Sequence, residues 1–208
     1  MRKIIRGNIN LQSLHLNELF DLSDVEVRGY FDCTHNHLIN LKGSPHTVGK
    51  EFRCNNSDLT SLEGGPHTVG GSFYCYENSL TSLKGAPQTL GEYGRFTCNN
   101  NNLTNLIGAP QIVGGSFYCY FNRLTSLEGG PITVGNWFEC YNNKLTNLIG
   151  APQTVGGAFY CHRNNLTSLK GIPKTIGGGF YIDEVLINKF PEEYIRSMCE
   201  IKGNVVYV

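Results

Sequence analysis

Ionic charge is scarce in this 208-residue chain: Asp, Glu, Lys and Arg make up 16% of it, against roughly 25% in an average soluble protein. The 17 basic residues balance the 17 acidic ones, and no basic block breaks that balance. Without such a block the chain lacks the electrostatic footprint that phosphate backbones and anionic membranes demand. Extended nucleic acid and membrane surfaces are therefore not expected partners. No stretch approaches the roughly 18 consecutive apolar residues of a spanning helix. The opening MRKIIRGNINLQ has the charge of a signal peptide but no apolar run behind it, which predicts a soluble, non-secreted protein.

Chemical motifs are missing too. Eight cysteines are present, yet none forms the C-x₂₋₄-C knuckle of a zinc site. No Gly-Lys-Ser/Thr follows the glycine pairs Gly70-Gly71 and Gly114-Gly115 or the run Gly177-Gly178-Gly179, so none reads as a phosphate loop. No Ser/His/Asp set or carboxylate pair stands outside the repeat described below. These absences predict no enzyme activity, no cofactor and no metal. In Cys33-Thr34-His35-Asn36-His37, the repeat turns Cys33 and Asn36 inward, so His35 and His37 should project away from them.

What is plentiful is glycine, at 25 residues, and asparagine, at 22. Both serve a repeat. A Phe-x-Cys pair recurs from Phe31/Cys33 to Phe159/Cys161, and an eighth copy reads Phe180/Ile182. The steps between copies are 21 residues, except one of 23 between Phe73 and Phe96. Each unit runs F-x-C-x-x-N-x-L-x-x-L-x-G-x-P-x-x-V-G-x-x. Phe and Cys two apart face the same way on a short strand, into a core. The Asn three residues after Cys (Asn36, Asn78, Asn101, Asn122, Asn143, Asn164) can pair with backbone groups left open where the chain bends. Ser57 takes its place in one unit and should be the weakest rung. Two leucine series complete the inner wall, and a proline series fixes φ and forbids a helical return.

One such unit buries almost nothing, whereas stacked units bury a continuous column. The expected fold is a β-rich solenoid with a parallel sheet of about eight short strands and non-helical Pro/Gly returns. Residues 30–189 should form about seven to eight coils. Residues 1–29 lose the spacing and should be a degenerate N-terminal cap. Residues 190–208 should be a C-terminal cap: a helix opened by Pro191, Glu192 and Glu193 and stopped by Gly203, then a strand over Val205–Val208.

With Phe and Cys standing for two strand leucines, the unit resembles the leucine-rich repeat, L-x-x-L-x-L-x-x-N-x-L. Its short, Pro-containing form looks like the bacterial type found in secreted effector ligases. The variant NxLTSLxGxPxTVGGxFxC is most similar to repeat proteins of tailed bacteriophages and other large DNA viruses. The resemblance covers about residues 20–190. It implies a scaffold with no catalytic residues to carry over. A viral setting implies host cytoplasm, which agrees with a column of unpaired, core-facing thiols.

Recognition must then lie at outward strand positions. Between Phe and Cys stand Asp32, Arg53, Tyr74, Thr97, Tyr118, Glu139, Tyr160 and Tyr181; just after Cys stand Thr34, Asn55, Tyr76, Asn99, Tyr120, Tyr141, His162 and Asp183. Phe121, Arg163 and the single Trp137 lie alongside, and the two-residue insertion at Gly91–Arg95 should bulge with Tyr93 and Arg95 beside the face. Tyr and Trp flanked by Arg dominate protein-binding hot spots. The same rings also stabilise sheets through cross-strand pairs.

The first expectation is a non-catalytic module that captures a protein partner on the strand face; the viral resemblance implies a host defence factor. A sponge or sensor for a small aromatic ligand such as a nucleotide is an alternative. So is a structural or self-associating virion part, and the exposed threonine ladder from Thr60 to Thr167 raises ice or crystal-surface binding as a remote variant of it.

Overall fold

The computed structural model describes residues 3–208, and the chain is a parallel β-solenoid. The Phe-bearing strands, such as Phe117–Tyr118, line up in one ten-stranded parallel sheet. Register is strict: Phe96 pairs with Phe73 on one side and Phe117 on the other. A period of 21 residues brings the same residue type back to the same place, so identical side chains pile into columns. The eight phenylalanines are fully buried, with successive ring centroids 5.1–5.7 Å apart. Both leucine series and the seven repeat cysteines are buried with them.

Hydrogen bonding explains why asparagine recurs at the bend. Asn143 Nδ2 donates to the carbonyls of Cys140 and Tyr141 in its own coil and Cys119 in the preceding one, at 3.1–3.3 Å. Its Oδ1 accepts from Leu124 N at 2.9 Å. One amide therefore satisfies both sides of a coil boundary that would otherwise bury unpaired backbone. Asn78, Asn101, Asn122 and Asn164 repeat the arrangement. At the exception, Ser57 Oγ only accepts from Asn36 N at 3.4 Å. The thiols form a second ladder: Cys33, Cys54, Cys75, Cys119, Cys140 and Cys161 each donate to a carbonyl of the next strand at 3.3–3.4 Å.

The return side carries sheet as well, which the repeat pattern did not foretell. The Thr–Val pairs, such as Thr133–Val134, form two five-stranded parallel sheets. The break falls between Thr89–Leu90 and Ile112–Val113, where the two extra residues enter the coil. The insertion splits the back wall and leaves the front register intact. At the turn into each return, glycine is required: Gly108 has φ +100° and an added Cβ there would lie 2.5 Å from Leu83 C. The prolines that follow are buried.

The ladder also runs past the recognisable repeats. Ile9–Asn10 pair with Phe31–Asp32, and Lys3–Ile5 with Val25–Val27, so part of residues 1–29 forms a coil without the motif. At the other end the helix covers Glu192–Met198 and stops well before Gly203. Glu200–Ile201 instead join the back sheet beside Thr175–Ile176. Ladder hydrogen bonds at an open sheet edge outweigh the helical spacing of Ile201. Val205–Tyr207 complete the front sheet beside Phe180–Ile182. Ile195 closes the end of the core, fully buried. Among the described residues no helix is long and apolar enough to cross a membrane.

Candidate binding face

The front sheet points Phe and Cys inward, and alternation sends the residues between and beside them outward. Not all of those are accessible. Asp32, Thr34, Asn55, Thr97 and Asn99 are only 4–6% exposed, which corrects the expectation that they are presented to a partner. Coils about 4.8 Å apart let long neighbours overshadow short side chains. Asp32 Oδ1 accepts from Thr34 N at 3.0 Å and from its hydroxyl at 2.7 Å.

The aromatic residues are half-buried, largely by one another. Tyr120 stacks on Tyr141 and Tyr141 on His162, with centroids 4.7 and 4.9 Å apart. Tyr160 stacks on Tyr181 at 4.2 Å, and Tyr118 tilts against Tyr120 at 6.2 Å. Phe121 sets its edge on Tyr120 and Tyr141 at 5.7 and 5.8 Å. It sits at the left-handed bend, φ +50°, a conformation shared by Asn100, Asn142 and Arg163 in other coils. That backbone suits asparagine, so Phe121 and Arg163 occupy strained places from which their side chains leave the sheet. The backbone N–H of Arg163 donates to Asp183 Oδ1. Trp137 is 44% exposed and Phe121 47%. The indole fits because the next coil has Gly157 there: an added Cβ would meet Trp137 Cδ1 at 2.6 Å.

Other expected residues lie further off. Tyr93 stands on the insertion, 80% exposed. Arg95 is exposed ahead of Phe96, its N–H bonded to Ser72 Oγ at 3.0 Å. Tyr74 and Tyr76 are separated from Tyr118 and Tyr120 by the coil carrying Thr97 and Asn99. Arg53, which the sequence placed only as an outward position, packs between rings: its Cζ is 5.6 Å from the Tyr30 centroid and 6.0 Å from that of Tyr74. Tyr30 was missed. Its signal was its position immediately before Phe31, equivalent to that of Trp137 before Phe138.

Burial shapes the titration of the face. Desolvation raises the Glu139 carboxyl to about 6 and the phenols of Tyr141 and Tyr160 to about 12. It also lowers the His162 imidazole, whose buried Nδ1 has no hydrogen-bond partner. His35 and His37 are exposed, and among the described residues no cluster of His, Cys, Asp or Glu could hold a metal. What the face offers is stacking area, ring quadrupoles and a few fixed polar atoms.

No protein-family profile matches the chain, and neither a curated protein nor a solved structure is similar to it.

Proposed function

We propose that the chain is a non-catalytic binding module that captures a protein partner on the strand face of its solenoid. The carrying observation is the exposed ring of Phe121 set on the stacked pair Tyr120 and Tyr141, with Trp137 exposed on the strand face without a ring neighbour among the described residues. Rings already held in place lose little rotamer freedom on binding, and large rigid aromatic groups are what interface hot spots are made of. The motif's resemblance to leucine-rich repeats of phages and large DNA viruses supports a viral protein acting in the host cytoplasm. A host defence factor is then the natural target. Eight unpaired, buried cysteines agree with a reducing compartment.

The test is affinity capture from host lysate with the wild-type chain and with Tyr118, Tyr120 and Trp137 replaced together by Ala. A matched variant, Thr104, Thr125 and Thr146 to Ala, alters an exposed ladder elsewhere on the coils. Loss of the same partner in the aromatic variant alone, with both variants folded by circular dichroism, supports the reading. Equal capture by all three proteins overturns it.

A further inference from the structure

Between Tyr74/Tyr76 and Tyr160/His162, one coil, that of Thr97 and Asn99, interrupts both aromatic columns at once. Tyr74 and Tyr76 lie one coil before Thr97 and Asn99, and Tyr118 and Tyr120 one coil after, so two rungs, roughly 9–10 Å, separate the ring pairs. Between them is a cavity of about 250 Å³, with Glu77 and Asn100 at its rim. That is smaller than the roughly 300–1,000 Å³ of sites that enclose a whole small molecule. It suits one flat group whose remainder stays outside. On its floor, Thr97 is 5% exposed and its buried Oγ1 has no hydrogen-bond partner, an unusual state for a native hydroxyl.

The neighbouring coils show how such a gap is filled. Tyr30, in the column of Trp137, and Tyr74, in the column of Thr97, lie two coils apart, and the Arg53 guanidinium lies between them, its Cζ 5.6 and 6.0 Å from the two ring centroids. Asp32 completes that arrangement, its carboxylate 3.7 Å from Arg53 Nη1. The gap above Thr97 has tyrosines on both sides and a carboxylate, Glu77 at the bend of the preceding coil, in a different arrangement. Among the described residues no guanidinium lines it, and Glu77 has no ion-pair partner.

Resting on the reading of this face as a protein-binding surface, we infer that the gap between Tyr76 and Tyr120 receives an arginine side chain of the partner. Its flat guanidinium stacks between the rings and faces Glu77, and it donates to Thr97 Oγ1 once the rings that cover that hydroxyl part. Planarity, positive charge and N–H donors are each met by this group. A nucleotide is disfavoured because its phosphate would approach unpaired Glu77. Lysine supplies charge without a flat face.

The test is an NMR titration of the full chain with N-acetyl-argininamide. N-acetyl-lysinamide, the uncharged isostere N-acetyl-citrullinamide, and adenosine serve as comparison probes. The expected result is shifts centred on Tyr76, Thr97, Asn99 and Tyr120, with the arginine probe at least about fivefold tighter than the others. Thr97→Tyr fills the gap with a ring, as Tyr160 and Tyr181 fill successive rungs, and should abolish the shifts. Glu77→Gln should weaken them about fivefold, and unchanged core resonances show that both variants fold. Equal binding of citrullinamide or lysinamide, tighter binding of adenosine, or no shifts at the gap would each overturn the assignment.

The two readings fail separately. A partner captured by Thr97→Tyr but not by the Tyr118/Tyr120/Trp137 variant leaves the face standing and removes the arginine. Arginine-probe binding with capture unaffected by that aromatic variant does the reverse.

Discussion

The rings of Tyr120 and Tyr141 lie within 8° of parallel with centroids 4.7 Å apart, and His162 continues the stack at 5° and 4.9 Å. The spacing is that of the coils themselves, so the backbone ladder sets the rings at stacking distance. The face is therefore ordered before any partner arrives, and part of its aromatic area already serves the fold. Tyr141→Ala, which removes the middle of the stack, should cost about 0.5–1.5 kcal/mol in urea unfolding. Trp137 has no ring neighbour among the described residues, and Trp137→Ala should stay within about 0.5 kcal/mol of wild type. A large loss at Trp137 would show that its indole supports the coil rather than a partner.

Much of this architecture was legible because stacking forces each position to keep its residue type. Phe, Cys, both leucines and Pro declare the core directly, and Asn declares the bend. The same logic hides what does not repeat. Ile9–Asn10 and Glu200–Ile201 became rungs because an open sheet edge offers hydrogen bonds to any extended segment, and no motif marks that. The back sheets escaped notice because two-residue strands carry too little alternation to register as a pattern. On the face, residue type was readable but accessibility was not. Thr97 and Tyr118 hold equivalent positions, and only the height of their neighbours decides which is covered.

Ser57 is the interrupted rung of the asparagine ladder. Every other Asn of the series accepts from a leucine N–H across the coil boundary, as Asn78 does from Leu59 at 3.0 Å. Ser57 makes no such bond to Leu38, and its reach is too short to donate to the Cys33 carbonyl. Ser57→Asn should restore both contacts and raise stability by about 0.5–1.5 kcal/mol, read as a higher urea midpoint with unchanged slope. A neutral or destabilising result would mean that this coil has relaxed around serine.

Glu139 stands in the same outward column as Tyr118 and Tyr160, and burial raises its carboxyl from 4.5 to about 6. Below 4.5 it is protonated whether the chain is folded or not, and no penalty exists. As pH climbs toward 6 the unfolded chain ionises first, so stability falls across that window and the loss is complete above it. Because the group is partly solvated, screening should hold the loss to about 1 kcal/mol or less. Glu139→Gln should remove the slope, leaving the variant more stable than wild type at pH 7 and similar at pH 4. Unfolding midpoints measured at both pH values decide this, and a wild-type chain that gains stability from pH 4.5 to 6 relative to the variant would contradict it.

The eight thiols should separate into two classes. The seven in the repeat lie in the column between Phe and Leu, each flanked by coils on both sides, and burial pushes every one of them far above the ordinary thiol range. Cys199 is also buried, but its rise stops at about 11, and it follows a seven-residue helix at the end of the stack. A terminal element with neighbours on one side opens more readily than an interior coil. Labelling with a thiol reagent under native conditions should therefore modify Cys199 first and alone, the other seven reacting only on global unfolding. Leu124→Ala opens a cavity beneath an interior coil at a cost of about 2–5 kcal/mol. It should accelerate Cys119 and Cys140 together with the remaining repeat thiols if the solenoid unfolds as a unit. Acceleration confined to those two would mean instead that single coils can part from the stack without global unfolding.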